Sequence, residues 1–166
     1  MKVYTDIILK ALEGKKFNSV LEVASGNQQN LVAIKQKYPD VKTYGFDVGA
    51  KGENIKDGNF KDKKWPFDRK FDVVFSMASI ILIDAEWTHH IMERMDARCG
   101  KYMIFIEAHS DKATMKGKTF PYSDPYVIRN YVKLLEKYGY KTHKITYPPN
   151  VWPGWAPKGE IIWGKK

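Results

Sequence analysis

Ser19-Val20-Leu21-Glu22-Val23-Ala24-Ser25-Gly26-Asn27-Gln28-Gln29-Asn30 is the stretch whose reading decides the fold. An apolar β run ends in an acid, Glu22, and a turn of small residues around Gly26 leads into a helical pattern. A second strand-like run, Lys42–Phe46, ends in another acid, Asp47. In open α/β sheets, ligands sit outside the carboxyl ends of the strands at the switch point. A turn without bulky side chains lets the backbone approach a cofactor there. An acid about 20 residues further on is placed to bind ribose hydroxyls. The stretch therefore reads as the cradle of an adenosine-type cofactor.

Outward from it, apolar residues recur in two periods. Ile7, Ile8, Ala11 and Leu12 have helical spacing within residues 4–13, and Gly14 is a stop. Val20–Ala24 reads as a short buried strand. Asn30 is a good cap for a helix whose inner face is Leu31, Ile34 and Tyr38, ended by Pro39. After the second strand, residues 49–70 are polar and rich in glycine and lysine, with a brief strand near Asn54–Lys56. Phe71–Ser76 is a strong central strand, and Ala85–Arg98 is helical up to Cys99-Gly100. Tyr102–Glu107 is the next strand. A polar loop, 108–123, precedes a helix over about 124–138 stopped by Gly139. Lys141–Thr146 and Glu160–Trp163 form a closing strand pair. Strands alternating with helices of 10–15 residues imply a mostly parallel sheet covered on both faces, an α/β fold. No internal repeat or linker marks a second domain, so residues 1–166 are expected to form one.

Composition narrows the class. A hydrophobic fraction of 43% and a charged fraction of 28% are ordinary for a globular protein. The longest aliphatic run, Ile80–Ile83, is too short to span a bilayer. The first residues form an amphipathic pattern, not a signal-like apolar core. A single cysteine, Cys99, excludes an internal disulfide and a cysteine-based metal cluster. A cytoplasmic, metal-independent protein without a membrane partner is the expectation. The net charge of +9 suits a nucleic-acid partner, but only Arg69, Arg94, Arg98 and Arg129 are arginines. Arginine is the preferred fork for phosphates and base edges, so the lysine excess disfavours nucleic acid and fits a coding bias instead.

With these elements placed, the chain resembles a class I S-adenosylmethionine-dependent methyltransferase over nearly its whole length. Val20-Leu21-Glu22-Val23-Ala24-Ser25-Gly26-Asn27 is similar to the family's first motif, and Tyr44-Gly45-Phe46-Asp47 to its second. Asp57-Gly58-Asn59-Phe60 resembles the segment that holds the adenine, and Phe71–Ser76 the fourth strand. The resemblance implies a Rossmann-like methyltransferase fold: a three-layer sandwich with a seven-stranded sheet of order 3-2-1-4-5-7-6, its seventh strand antiparallel. It implies S-adenosylmethionine as cofactor, held by Glu22, Ala24, Ser25, Gly26, Asn27, Asp47, Asn59, Phe60, Ser76 and Met77. Glu22 would fix the donor's ammonium group and Asp47 its ribose. One departure stands out: where the first motif has three alternating glycines, this chain has Ala24, Gly26 and Gln28. Gln28 either turns away, or bonds the methionine moiety, or weakens cofactor binding.

Methyl transfer requires binding, exclusion of water and in-line placement more than protein chemistry. A general base serves hydroxyl acceptors; His109, just past the fifth strand, and its neighbour Glu107 are the candidates. A polar loop histidine is the alternative reading of His109. His89-His90 lack metal-site spacing. Tyr122, Tyr126 and Arg129 occupy a position often used for substrate contact, although core packing explains Tyr126 equally well. Trp152 and Trp155 form either an aromatic wall over an acceptor or a hydrophobic plug.

Absences count as well. Met77-Ala78-Ser79 follows the fourth strand, where amino-methylating nucleic-acid enzymes have Asn/Asp/Ser-Pro-Pro-aromatic. Cys99 precedes the fifth strand and so misses the position of a cytosine-C5 nucleophile. The expectation is methyl transfer to an O or N atom of a small-molecule acceptor. An RNA or DNA methyltransferase and a non-catalytic S-adenosylmethionine-binding module are the alternatives.

Overall fold

The computed structural model describes residues 2–119, 126–146 and 159–166. Seven strands form one sheet: β1 (Ser19–Val23), β2 (Lys42–Asp47), β3 (Ile55–Asp57), β4 (Phe71–Met77), β5 (Cys99–Ala108), β6 (Lys141–Thr146) and β7 (Gly159–Lys165). Their spatial order is 3-2-1-4-5-7-6, once a separate ribbon of Lys118–Thr119 against Val127–Ile128 is set aside. The first five run parallel, while β7 is antiparallel to both β5 and β6. The α/β fold, the seven strands and their order agree with expectation.

Alternation along the strands builds two cores. Val20, Val73, Phe75, Ile104, Ile106 and Ile161 face Ile7, Ile8, Ala11 and Leu12 of helix α1 (Lys2–Leu12), and Leu31 and Ile34 of α2 (Gln29–Lys37). The intervening residues, among them Leu21, Val74, Met103, Phe105 and Ile162, face Ile91, Met92 and Met95 of α3 (Thr88–Arg98), and Leu134 and Leu135 of α4 (Tyr131–Lys137). β1, β4 and β5 are nearly continuous in apolar residues because both their faces are covered. The same parity puts Glu22 on the α2 side with Val20, and Glu107 on the α4 side with Phe105.

Four boundaries depart from expectation. Asn30 does not cap α2: Gln28 occupies the N-cap with φ 65° and makes no side-chain cap bond. The run 85–98 splits into a 3₁₀ turn, Ala85–Trp87, and α3. Cys99-Gly100 ends the helix as expected but already opens β5, three residues before the expected start at Tyr102; a Cβ on Gly100 would come 3.1 Å from the Phe71 carbonyl oxygen in the neighbouring strand. The expected helix from 124 begins only at Tyr131, capped by the Asn130 side chain, which accepts the Lys133 N–H at 3.0 Å. Val127-Ile128 are extended and Arg129 is fully buried ahead of that helix. Arg129 is thus removed from the solvent-facing position a substrate contact requires. Tyr122, Trp152 and Trp155 lie outside the described residues. Among those described, no helix is long and apolar enough to cross a membrane.

Candidate cofactor site

The carboxyl ends of β1, β2 and β4 converge on one place. Glu22 lies opposite Gly45 of β2 and Phe75 of β4. It is 2% exposed, and Asn30 in the first turn of α2 donates its amide to Glu22 Oε1 at 2.6 Å. Among the described residues no donor reaches Oε2. Burial pushes the Glu22 pKa up to about 8; the Asn30 bond opposes the rise and the charge of Asp47 adds to it. The two carboxylates therefore share one environment, as the motif spacing predicts.

Asp47 ties the next turn in place: Oδ2 accepts the Gly26 N–H at 2.7 Å and Oδ1 the Val48 N–H at 2.7 Å. The segment between Glu22 and α2 alternates in hand, with positive φ at Ala24 (57°), Gly26 (49°) and Gln28 (65°). These are the three positions at which the resembled motif carries glycine. The left-handed geometry is thus kept at two residues that have a Cβ, where it costs about 1–2 kcal/mol each. The Gln28 side chain turns outward. It donates to the Lys51 carbonyl at 3.4 Å and lines a groove with Leu31, Val32, Thr43 and Ile55. Of the three expectations for Gln28, turning away is the one observed.

Ser25 and Gly45 pack face to face. A Cβ on Gly45 would lie 2.8 Å from Ser25 Cβ, Ser25 Oγ and Leu31 Cδ1, so only glycine lets β2 pass here. Ser25 is 5% exposed and its Oγ has no hydrogen-bond partner among the described residues. Asn27 is exposed, and its Oδ1 accepts the Gln29 N–H at 3.4 Å. On the β3 side, Asn59 forms a tight turn in which its Oδ1 accepts the Lys61 N–H at 2.9 Å. Phe60 is half-buried, its ring 6.3 Å from Phe46 and 6.4 Å from Trp65.

The fourth strand contributes backbone more than side chains. Ser76 is fully buried, and its hydroxyl donates to Glu107 Oε1 at 2.9 Å on the α4 side, away from Glu22. Met77 is half-buried and packs towards the α1–α2 core. Ser79, which sequence reading did not single out, donates to the Ala24 carbonyl at 3.4 Å and to that of Met77 at 2.9 Å. It links the turns after β1 and β4; a serine just past a strand end was its only sequence signal.

The two residues expected to act as bases are engaged elsewhere. Glu107 is fully buried and accepts N–H bonds from Ser79 and Ile80 at 3.1 Å and Ile81 at 3.3 Å, besides the Ser76 hydroxyl. Burial raises its pKa, and those four donors oppose the rise. His109 is 4% exposed: Nδ1 accepts the Tyr131 N–H at 3.2 Å, and Nε2 lies 2.8 Å from Asp111 Oδ1. Hydrogen bonds from Lys144 and His109 hold the Asp111 carboxyl down at about 2. Both carboxyl oxygens of Glu107 and both ring nitrogens of His109 are thus already engaged. The described residues include no group of three or more histidine, cysteine, aspartate or glutamate side chains able to hold a metal ion.

No protein-family profile and no curated protein sequence matches this chain. Solved structures do. SibL, an S-adenosylmethionine-dependent methyltransferase in its apo form, is 15% identical with a TM-score of 0.73, over 99% of this chain and 55% of its own. Human N-acetylserotonin methyltransferase in complex with S-adenosylmethionine is 16% identical with a TM-score of 0.69, over 99% of this chain and 52% of its own. DesVI of Streptomyces venezuelae is 13% identical with a TM-score of 0.65, over 97% of this chain and 89% of its own. The chain thus spans about half the length of the first two. In strand order, in the antiparallel seventh strand and in the turn after β1, it has the fold of the class I S-adenosylmethionine-dependent methyltransferases.

Proposed function

We propose that this chain, folded as one domain over residues 1–166, binds S-adenosylmethionine and transfers its methyl group to an O or N atom of a small-molecule acceptor. The observation that carries the reading is the unpartnered Oε2 of buried Glu22, which feels the charge of Asp47; the Ser25 hydroxyl, packed against the Gly45 that lies opposite Glu22, is unpartnered as well. A buried carboxyl oxygen without a hydrogen-bond partner is costly, protonated or not, unless a ligand supplies one. The ammonium group of the donor does so, and its ribose hydroxyls fit the remaining acceptor capacity of Asp47. Half-buried Phe60 offers an apolar wall for the adenine, next to Asn59. When bound, the donor supplies a methyl group already activated by its sulfonium. The chain's own task is then to orient, to exclude water and to hold the nucleophile in line.

With Glu107 and His109 both engaged, an amine or an already acidic hydroxyl suits this site better than an alcohol that needs a strong base. Solved neighbours described as O-methyltransferases, from Burkholderia thailandensis and Nostoc punctiforme, support an O acceptor, and the N-acetylserotonin methyltransferase a small one. Equilibrium dialysis with labelled donor tests the reading. Saturable binding that is lost in Glu22→Ala and Asp47→Ala supports it, whereas no binding at millimolar donor defeats it. A non-catalytic donor-binding module is the second reading, favoured by those same engaged side chains. Turnover of any member of an amine and phenol panel, followed by mass spectrometry, eliminates it.

A further inference from the structure

Acids and cations mark opposite ends of several strands. At the carboxyl pole, β1, β2, β3 and β5 finish at or beside Glu22, Asp47, Asp57 and Glu107. At the amino pole, strands begin beside cations: Lys16 before β1, Lys42 on β2, Lys70 before β4, Lys101 on β5 and Lys141 on β6. Antiparallel β7 reaches the same pole at Lys165, in register with Lys141 on one side and Tyr102 on the other. Of the carboxylates at this pole, Asp72 is paired with Lys101 at 3.0 Å and Asp96 with Lys166 at 2.8 Å, while Asp40 and Asp68 are exposed near Lys42 and Lys70 and leave the pole with an excess of cations. Lys16, Lys42, Lys70, Lys141 and Lys165 are exposed, and among the described residues none forms an ion pair.

Aromatic rings stand at the rim of this pole. Trp163 lies opposite His143, the two rings stacked at 4.1 Å and 15°. The Lys15 ammonium sits 3.8 Å above Trp163, and Tyr102 meets the same indole edge-on at 6.2 Å. His143 is exposed on the edge strand, between Lys141 and Lys144. A ring held by stacking and rimmed by ammonium groups is the combination that receives an unpaired base and its phosphates.

We propose that the amino pole is a docking surface for single-stranded nucleic acid, separate from the cofactor site at the opposite end of the strands. Lysine acts there as a point charge on phosphate, without the fork that reads bases, so binding is independent of sequence and steep in salt. The stacked His143 ring distinguishes a nucleic acid from a lipid surface, which offers phosphates but no base. Docking at this pole leaves the carboxyl pole open to donor and acceptor.

The test uses fluorescence anisotropy with a labelled 20-nucleotide oligouridylate at several salt concentrations. Phosphatidylserine vesicles serve as the competing surface. The intact chain is expected to bind the oligomer at low salt and to release it as salt rises. Substituting Lys16, Lys70, Lys141 and Lys165 together by Gln should lower the log–log salt slope by about 3 and weaken binding at least tenfold. The same number of changes at Lys63, Lys64, Lys112 and Lys116, away from this pole, should leave the slope within about one unit. His143→Ala should weaken the oligomer several-fold without changing the slope. Melting temperatures identify any variant that fails to fold, and the His143 variant then carries the test alone. Equal losses from both lysine sets, vesicle binding tighter than oligomer binding, or no binding at low salt would each overturn the proposal.

Discussion

Glu107 and Arg129 grip the same turn from its two ends. The carboxylate accepts the N–H groups of Ser79, Ile80 and Ile81, while the guanidinium donates to the carbonyls of Ile80 at 2.7 Å, Asp84 at 3.3 Å and Ile83. Arg129 also donates to the Thr88 hydroxyl at 2.8 Å, which joins the clamp to α3. The clamped residues include the 3₁₀ turn Ile80–Leu82, which follows the end of β4 and fixes where Ser79 meets Ala24.

Loss of either partner leaves buried donors or acceptors unmatched. Arg129→Met is expected to destabilise the fold by about 3 kcal/mol or more, since the buried carbonyls of Ile80 and Ile83 and the Thr88 hydroxyl each lose a charged donor. Glu107→Gln retains an acceptor and should cost about 1–2 kcal/mol. Urea denaturation measures both. A Glu107→Gln protein of unchanged stability that turns over at least a hundredfold more slowly would restore Glu107 as a base.

Glu22 couples pH to stability and to ligand binding. Its folded pKa of about 8 lies above the ordinary value of 4.5, so the folded state holds the extra proton between those limits. That contribution is fully present below pH 4.5 and is lost as pH rises through 8, with a slope of up to about 1.4 kcal/mol per pH unit. The difference in melting temperature between the parent chain and Glu22→Gln should therefore shift against the parent from pH 5 to pH 8. A cationic ligand at Oε2 ionises the group, so donor affinity should rise with pH over the same window. Calorimetry in buffers of different ionisation enthalpy detects the released proton.

Gly45 tests whether the wall beside Ser25 matters. Its added Cβ meets a Ser25 Cβ that has no rotamer to yield, so Gly45→Ala should cost about 1–3 kcal/mol and displace the turn after β1. Donor affinity should fall with it. Gly26→Ala is the informative comparison, because no atom lies within 4 Å of its Cβ and only the positive φ is strained. It should destabilise by about 1 kcal/mol through the backbone alone.

Restoring glycine at Gln28 or Ala24 relieves left-handed backbone at a residue with a side chain. Each change should be neutral to stabilising, by up to about 1 kcal/mol, the relief being offset by the greater freedom of the unfolded chain. Because the Gln28 side chain faces Lys51, Gln28→Gly should leave donor affinity within about threefold, roughly half of the 1.4 kcal/mol that a tenfold change represents. Thermal melts and dialysis on one preparation check both.

The strands were readable because each carries its own local signal. Val20–Val23, Phe71–Phe75 and Met103–Ile106 are apolar on both faces, and acids mark where β1, β2 and β5 run out. The pairing of Glu22 with Asp47 was readable too, since strand order sets their distance. The fate of individual polar side chains was not. Asn30 has the composition of a helix cap, yet it serves Glu22 because β1 passes beneath α2. His109 and Glu107 have the composition of a base, yet strand parity turns Glu107 into the α4 core and the Tyr131 N–H occupies His109. Arg129 reads as a substrate contact until four backbone carbonyls from distant and local turns close round it.

By itself, the order of apolar runs, small-residue turns and terminal acids determined an α/β sheet with a nucleoside-sized cradle at the ends of β1 and β2. That information is local: it lies in periods of two and 3.6 residues and in where each run stops. Only the tertiary structure decided which polar atoms are consumed and which are left over. A hydrogen bond between residues far apart in the chain has no local signature, and burial can be counted only once both faces of the sheet are covered. That is why Glu22 Oε2 and Ser25 Oγ emerge among the unsatisfied groups of the described residues, while Glu107 and His109 do not.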